Sequence, residues 1–265
     1  MNLQEELYSN TPPSLKIKEV QPFLEAEKSC FWQLLADFIF ENMLKNKFAA
    51  IRVKNLENLN KRDFNKPNIL YAPHICWWDG ILEYYLGRKV FNLDMIGMME
   101  DLHSMPVLRK IGAFSVDKKS VKVVKNSIDF AVKSLNYQRK SLFLFPQGII
   151  RPQDYMPLEF SSGISYVASK LDGVNLIPLA IRYCFLRSSS PEILIEVSDP
   201  IFLPKVENIK ETTQKIQENF SKTLEKQRIE IASCNLEGYK TVLKQKENLI
   251  ELFLKHCRKK FKTKQ

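Results

Sequence analysis

A chain of 265 residues, 45% hydrophobic and 26% charged, has the composition of an ordinary globular protein, with length for one sizeable domain and helical appendages; this argues against a disordered or low-complexity chain. No apolar run is long enough to span a bilayer, the start Met1-Asn2-Leu3-Gln4-Glu5-Glu6 lacks a secretory pattern, and five scattered cysteines (Cys30, Cys76, Cys184, Cys234, Cys257) without a C-x-x-C pair argue against disulfides and zinc and suit a reducing cytoplasm. The net charge of +10, with an isoelectric point near 9.2, favours anionic partners: phosphorylated cofactors, anionic lipid or nucleic acid.

The first segment, residues 1–55, contains a predicted helix from Cys30 to Leu44. Phe31, Leu34, Leu35, Phe38 and Ile39 recur at helical spacing, and Trp32, Phe40 and Met43 widen the stripe until the helix is apolar around much of its girth. Two readings stay open: a core helix that caps the domain, or an amphipathic helix in a membrane interface. Asp37 and Glu41 do not favour anionic lipid.

The second segment, residues 56–204, alternates. Strand-like runs fall at Asn68–Tyr71, Leu93–Met98, Ser141–Phe145, Asn175–Tyr183 and Glu192–Val197, with helix-like stretches at Gly80–Leu86, Val121–Tyr137 and Ser162–Leu171. Within 121–137, Val124, Ile128, Ala131 and Leu135 share a face. The pattern predicts an α/β domain, a central mixed sheet flanked by helices. In such folds active-site groups gather at the carboxyl ends of strands.

The third segment, residues 205–265, reads as a helical, basic extension. Ile209, Ile216, Phe220 and Leu224 mark one helical stretch; Tyr239, Val242, Leu243, Ile250, Phe253, Leu254 and Cys257 mark another, with Gly238 between them. The chain ends in a basic run with no acidic residue after Glu251.

Two motifs carry chemistry. In Tyr71-Ala72-Pro73-His74-Ile75-Cys76-Trp77-Trp78-Asp79-Gly80, one of only three histidines follows a strand-like run and an aspartate comes five residues later. On a single helix the two would lie about 140° apart around the axis. They meet only if His74 sits in the loop after the strand and Asp79 in the first turn of the next helix. Asp79 then accepts from one ring nitrogen and leaves the other to take a proton. The bland reading is a helix-capping aspartate beside a buried loop histidine. Trp77 and Trp78 read as packing anchors. The second motif is Phe145-Pro146-Gln147-Gly148, where Pro146 ends a strand and Gly148 permits a tight turn.

In this order and separation the motifs resemble those of the glycerolipid acyltransferase family, which includes the 1-acylglycerol-3-phosphate acyltransferases and carries H-x-x-x-x-D followed by F-P-E-G. Gly112-Ala113-Phe114-Ser115-Val116-Asp117-Lys118 looks like the family's G-x-x-F-x-x-R block, and Val174 to Ile181 resembles its fourth block, a proline-bearing apolar strand. The likeness covers about residues 68–183. It implies an O-acyltransferase in which His74, oriented by Asp79, activates a lipid hydroxyl. That hydroxyl attacks an acyl thioester, acyl-CoA or acyl carrier protein, with no acyl-enzyme intermediate and neither cofactor nor metal. In keeping with this, no complete G-x-S-x-G elbow is present, since Gly163-Ile164-Ser165-Tyr166-Val167 lacks its second glycine, and Cys76 reads as a small packing residue. The resemblance also places Lys118, Phe145, Pro146, Gln147, Gly148 and Arg151 in the substrate site and makes one of Trp77 and Trp78 a candidate wall for the acyl pocket. It implies an enzyme on the cytoplasmic face of a membrane, peripheral or monotopic.

The departures concern the acceptor. Gln147 replaces the family's carboxylate, Arg151 falls one position late, Lys118 replaces an arginine and loses bidentate phosphate recognition, and Glu100-Asp101 occupy a stretch where the family often has lysine. These point to a hydroxylated lipid without a phosphate monoester, such as a glycolipid or carotenoid glycoside, with lysophosphatidic acid as the alternative. Two other readings are a thioesterase and a basic binding module. No zinc finger, RNP-like strand or helix-turn-helix signature supports nucleic acid as partner.

Overall fold

The computed structural model describes residues 20–137, 140–186 and 188–245. Its described elements are α1 (Cys30–Lys47), β1 (Ala50–Lys54), β2 (Asn68–Tyr71), α2 (Asp79–Tyr85), β3 (Met95–Met99), β4 (Ala113–Ser115), α3 (Val121–Tyr137), β5 (Ser141–Leu144), α4 (Gly163–Ser169), β6 (Val174–Cys184), β7 (Glu192–Val197), β8 (Ile201–Leu203), α5 (Ile209–Ala232) and β9 (Lys240–Lys244). The strands form one nine-stranded sheet in the order β4-β3-β5-β2-β6-β7-β1-β9, with β8 paired to β6. From β4 to β6 all neighbours are parallel; β7 and β8 run antiparallel to β6, β1 parallel to β7, and β9 antiparallel to β1, so the sheet is mixed as expected.

Both faces of the sheet are covered, which is why its strands read as continuous apolar runs rather than alternating ones. Leu70, Phe143, Ile177, Leu179 and Ile181 point to the side of α1 and α2, where Leu44, Leu82 and Leu86 meet them. Ile69, Tyr71, Leu142, Leu144 and Leu176 point to the side of α3, α4 and α5, against Ile128, Val167, Ile216 and Phe220.

Two features depart from the sequence reading, and a third bears on a choice it left open. The sheet draws β1 from within residues 1–55, where it pairs parallel with β7, so the sheet begins ahead of the boundary read at residue 55. The second stretch beyond Gly238 was expected to be helical, and this is corrected: Lys240–Lys244 is a strand, antiparallel to β1. Tyr239, Val242 and Leu243 fit helical spacing equally well over so short a run. The open edge of β1 decides the matter, and Leu243 enters the core there. Ile250, Phe253, Leu254, Cys257 and the basic end lie outside the described residues. Third, α1 packs on the core through Phe40, Met43 and Leu44 only and turns much of its apolar stripe outward. Phe31, Leu34 and Phe38 are 67%, 67% and 69% exposed, while Ala36, Asp37 and Leu44 are buried. The inward face is pinned by charge: Asp37 accepts from Tyr84 and Arg88 and pairs with Lys89. No helix among the described residues is long and apolar enough to cross a membrane.

Candidate active site

The parallel register of β2 and β5 explains why motifs some seventy residues apart are adjacent. Tyr71 pairs with Leu144, and His74 and Gln147 each lie three residues further on. The two loops are laced by backbone bonds, Ala72 N–H to Leu144 O at 3.3 Å and Arg151 N–H to His74 O at 2.8 Å. Gln147 Oε1 accepts from the backbone N–H of His74 at 2.8 Å. The Phe145 ring stacks on the His74 imidazole, centroids 4.4 Å apart and 17° from parallel. Gly148 turns the chain away at φ +68°, a conformation that only glycine adopts without strain.

Asp79 is the first residue of α2 and its side chain has no exposed surface. Its Oδ2 lies 2.8 Å from His74 Nδ1 and accepts the backbone N–H groups of Ile75 and Cys76. Its Oδ1 accepts the Tyr183 hydroxyl at 2.7 Å and the more distant Cys76 thiol. The carboxylate thus closes the 74–78 loop on itself and holds the histidine from one side only. With Nδ1 committed to the carboxylate, Nε2 is the nitrogen left to accept a proton. Burial and the Asp79 charge push the Cys76 thiol up to about 11, so at neutral pH it is a poor nucleophile. Burial, with Asp79 alongside, likewise raises the Tyr183 phenol well above the ordinary range, keeping it a hydrogen-bond donor.

Tyr183 was not singled out from the sequence. The signal was its position: β6 runs beside β2 and continues beyond it, and Leu179, Ile181 and Tyr183 share the face that looks at α2. A polar residue closing an apolar strand next to the motif strand was the clue.

The remaining motif residues serve mainly to hold the two loops. Lys118 Nζ donates to Gly148 O at 2.6 Å and to Glu100 Oε2 at 2.9 Å, bridging the loops after β3, β4 and β5. Pro146 O accepts Ser161 N–H and its hydroxyl. Trp78 packs edge-on against Phe48, centroids 5.3 Å apart, whereas Trp77 is 60% exposed. The Arg151 guanidinium lies over the Tyr155 ring, 4.7 Å from its centroid, and lines a cavity of about 380 Å³ with Gln147, Arg182 and Arg228. No His/Cys/Asp/Glu cluster among the described residues has the make-up of a metal site.

An imidazole with one nitrogen fixed by a buried carboxylate, at the carboxyl edge of a parallel sheet, is equipped to remove a proton from a hydroxyl and return it to a leaving group. A family model described as Acyltransferase matches residues 50–182, half of the chain, from β1 through the strand that ends at the site. No curated protein matches. Among solved structures, the chain is similar to the crystal structure of the 1-acyl-sn-glycerophosphate (LPA) acyltransferase PlsC from Thermotoga maritima. The two share 16% identity over 74% of this chain and 78% of that one, with a TM-score of 0.50, a likeness of fold.

Proposed function

The chain belongs to the acyltransferase family and is an enzyme of acyl transfer; we propose that it moves a fatty acyl group from an acyl thioester to a hydroxyl of a lipid acceptor, with His74 as general base. The observation that carries this reading is the 2.8 Å contact between His74 Nδ1 and a buried, fully bonded Asp79. His74 Nε2 takes the proton of the acceptor hydroxyl as its oxygen attacks the thioester carbonyl. The thiolate leaves and takes that proton from the imidazolium, so charge and protons balance without an acyl-enzyme. Asp79 fixes the tautomer and stabilises the imidazolium. The donor is acyl-CoA or acyl carrier protein.

We further propose an acceptor without a phosphate monoester, a glycolipid or carotenoid glycoside. Gln147 spends its carbonyl on His74 N–H, and Lys118 is engaged by Glu100 and Gly148 O. Neither offers a concentrated phosphate cradle, whereas the Gln147 amide group can donate to a sugar hydroxyl. The likeness to PlsC favours lysophosphatidic acid as the second reading. The lipid acceptor is reached from a membrane surface, on its cytoplasmic face, with the exposed apolar side of α1 in the interface.

The test is thioester turnover with and without a lipid alcohol. His74→Ala is expected to cut transfer by roughly two to four orders of magnitude in a folded protein, and Asp79→Asn to remove most activity. Near-normal transfer by folded His74→Ala defeats the assignment. Thioester release that needs no acceptor makes the protein a thioesterase, and a clear preference for lysophosphatidic acid over a glycolipid defeats the acceptor proposal.

A further inference from the structure

On the face of the sheet opposite α1 and α2, the loop after β5, the end of β6 and helix α5 enclose the cavity of about 380 Å³. It reaches Pro73 and Ile75, the neighbours of His74 on either side. Three guanidinium groups line it: Arg151 from the motif loop, Arg182 from β6 and Arg228 from α5. Alternation along β6 sets this up. Tyr183 points to the α2 side and holds Asp79, so its neighbour Arg182 points the other way.

Arg182 is the most informative of the three. Its side chain is only 14% exposed, and its ion-pair partner, Asp154 at 2.9 Å, is 66% exposed. A largely enclosed guanidinium with five donors and one exposed carboxylate has spare hydrogen-bonding capacity directed at the cavity. Arg228 pairs with Glu225 three residues earlier on α5, both side chains near half exposed. Two carboxylates, Asp154 and Glu225, line the cavity beside the three guanidiniums. Exposed pairs of this kind contribute little and exchange readily for a better anion. Planar guanidinium forks converging from three elements suit the oxygens of a phosphate ester.

We infer that this cavity binds the phosphate-bearing part of the thioester donor, the phosphate esters shared by coenzyme A and the phosphopantetheine arm of acyl carrier protein. The inference rests on the thioester reading of the function. A lipid acceptor stays with its chain in the membrane and comes from the side of the exposed apolar helix α1. A water-soluble donor is free to approach from the opposite, charged side, where α5 also exposes Lys222 and Lys226. His74, on the edge between the two faces, is reached from both. This also assigns Arg151 to the donor rather than to an acceptor phosphate.

Coenzyme A binding by calorimetry, in the wild type, Arg182→Gln and Arg228→Gln, tests the site without requiring turnover. Each substitution is expected to weaken coenzyme A about tenfold, the effect of one lost charge-assisted bidentate contact. In kinetics, the preference for acyl-CoA over the phosphate-free acyl-N-acetylcysteamine thioester falls by a similar factor, while KM for the lipid acceptor is unmoved. Parallel assays with acyl carrier protein separate the sources: losses with both donors assign the pantetheine phosphate, and losses with acyl-CoA alone assign its nucleotide phosphates. Arg228 lies on the surface of α5, so Arg228→Gln decides even if the more enclosed Arg182→Gln does not fold. Unchanged coenzyme A binding in folded Arg228→Gln overturns the proposal, as does a raised KM for a phosphate-bearing acceptor with donor preference intact. Coenzyme A binding that depends on Arg228 in a protein that transfers no acyl group leaves the cavity standing and removes the transfer reading instead.

Discussion

Asp79 places one negative charge in a side chain without exposed surface, and its neighbours make that tolerable. Two backbone N–H groups and His74 serve one oxygen, and Tyr183 serves the other. Tyr183→Phe removes a bond of about 1–3 kcal/mol and leaves Oδ1 with only the weak Cys76 thiol. The carboxylate is then held less firmly beside His74. Turnover is expected to fall about tenfold with KM little changed. A stability loss alone would not lower kcat in protein that is still folded, so kcat measured well below the melting temperature separates positioning from packing. Glu83, one turn along α2 from Asp79, sets a second test. Its carboxyl rests on Gly97 of β3, where an added Cβ would come within 2.5 Å of Oε1. Burial, with the Asp79 charge second, pushes it up to about 8, against an ordinary carboxylate value near 4.5. Between those values the folded chain holds a proton that the unfolded chain has released, so this group's contribution to stability is present at low pH and lost as pH rises towards about 8. Glu83→Gln fixes the neutral form. Melting temperatures of wild type and variant are expected to agree near pH 4, below the ordinary carboxylate value, with the variant ahead by on the order of 10 °C near pH 8.5.

Among the elements, α1 buries one carboxylate and exposes much of its apolar stripe. Asp37 is inside, where it meets Arg88, Lys89 and Tyr84, and Phe31, Leu34 and Phe38 are outside, while Phe40, Met43 and Leu44 pack on the core. Burial works against ionisation of Asp37, but the hydrogen bonds from Arg88, Lys89 and Tyr84 outweigh it and hold the carboxyl below its ordinary value. The polar anchor therefore fixes which side faces out. Met105 and Val107, both exposed, lie in the turns that follow β3, and α1 packs on the second of these. Replacing Phe38 by Glu is expected to reduce flotation with liposomes about tenfold, the loss of roughly 1.5–3 kcal/mol of apolar burial in the interface. Because Phe38 is exposed, the melting temperature should barely change; equal flotation of wild type and variant would remove α1 from the interface.

For the whole molecule, the surplus of +10 adds an electrostatic share to any membrane contact. Flotation with anionic liposomes is expected to decline as salt is raised from about 0.05 to 0.5 M, whereas the share due to the apolar face of α1 persists. Loss of all binding at high salt would mean that charge alone holds the protein to the surface. The same scale gives the division of labour around the sheet: an apolar helix on one face, an arginine-lined cavity on the other, and the His74 loop at the edge they share.

The sequence by itself determined the α/β class, β2 and β5 with the motifs at their ends, and the loop-then-helix placement of His74 and Asp79. These are local matters: apolar runs, a proline and a glycine that end a strand, and a spacing that works in one geometry only. What required the tertiary structure was every choice set by a distant partner. Lys240–Lys244 is a strand because β1 has an open edge, although its apolar spacing also fits a helix. Tyr183 reaches Asp79 across 104 positions because β6 lies beside β2 and outruns it. Gln147 became a clamp on His74 N–H because the β2–β5 register puts the two residues level. The outward face of α1 was left open by periodicity, which locates an apolar stripe without saying what covers it. The buried Asp37 cluster decided it, since its ion pairs cannot form unless the stripe is turned away from the core.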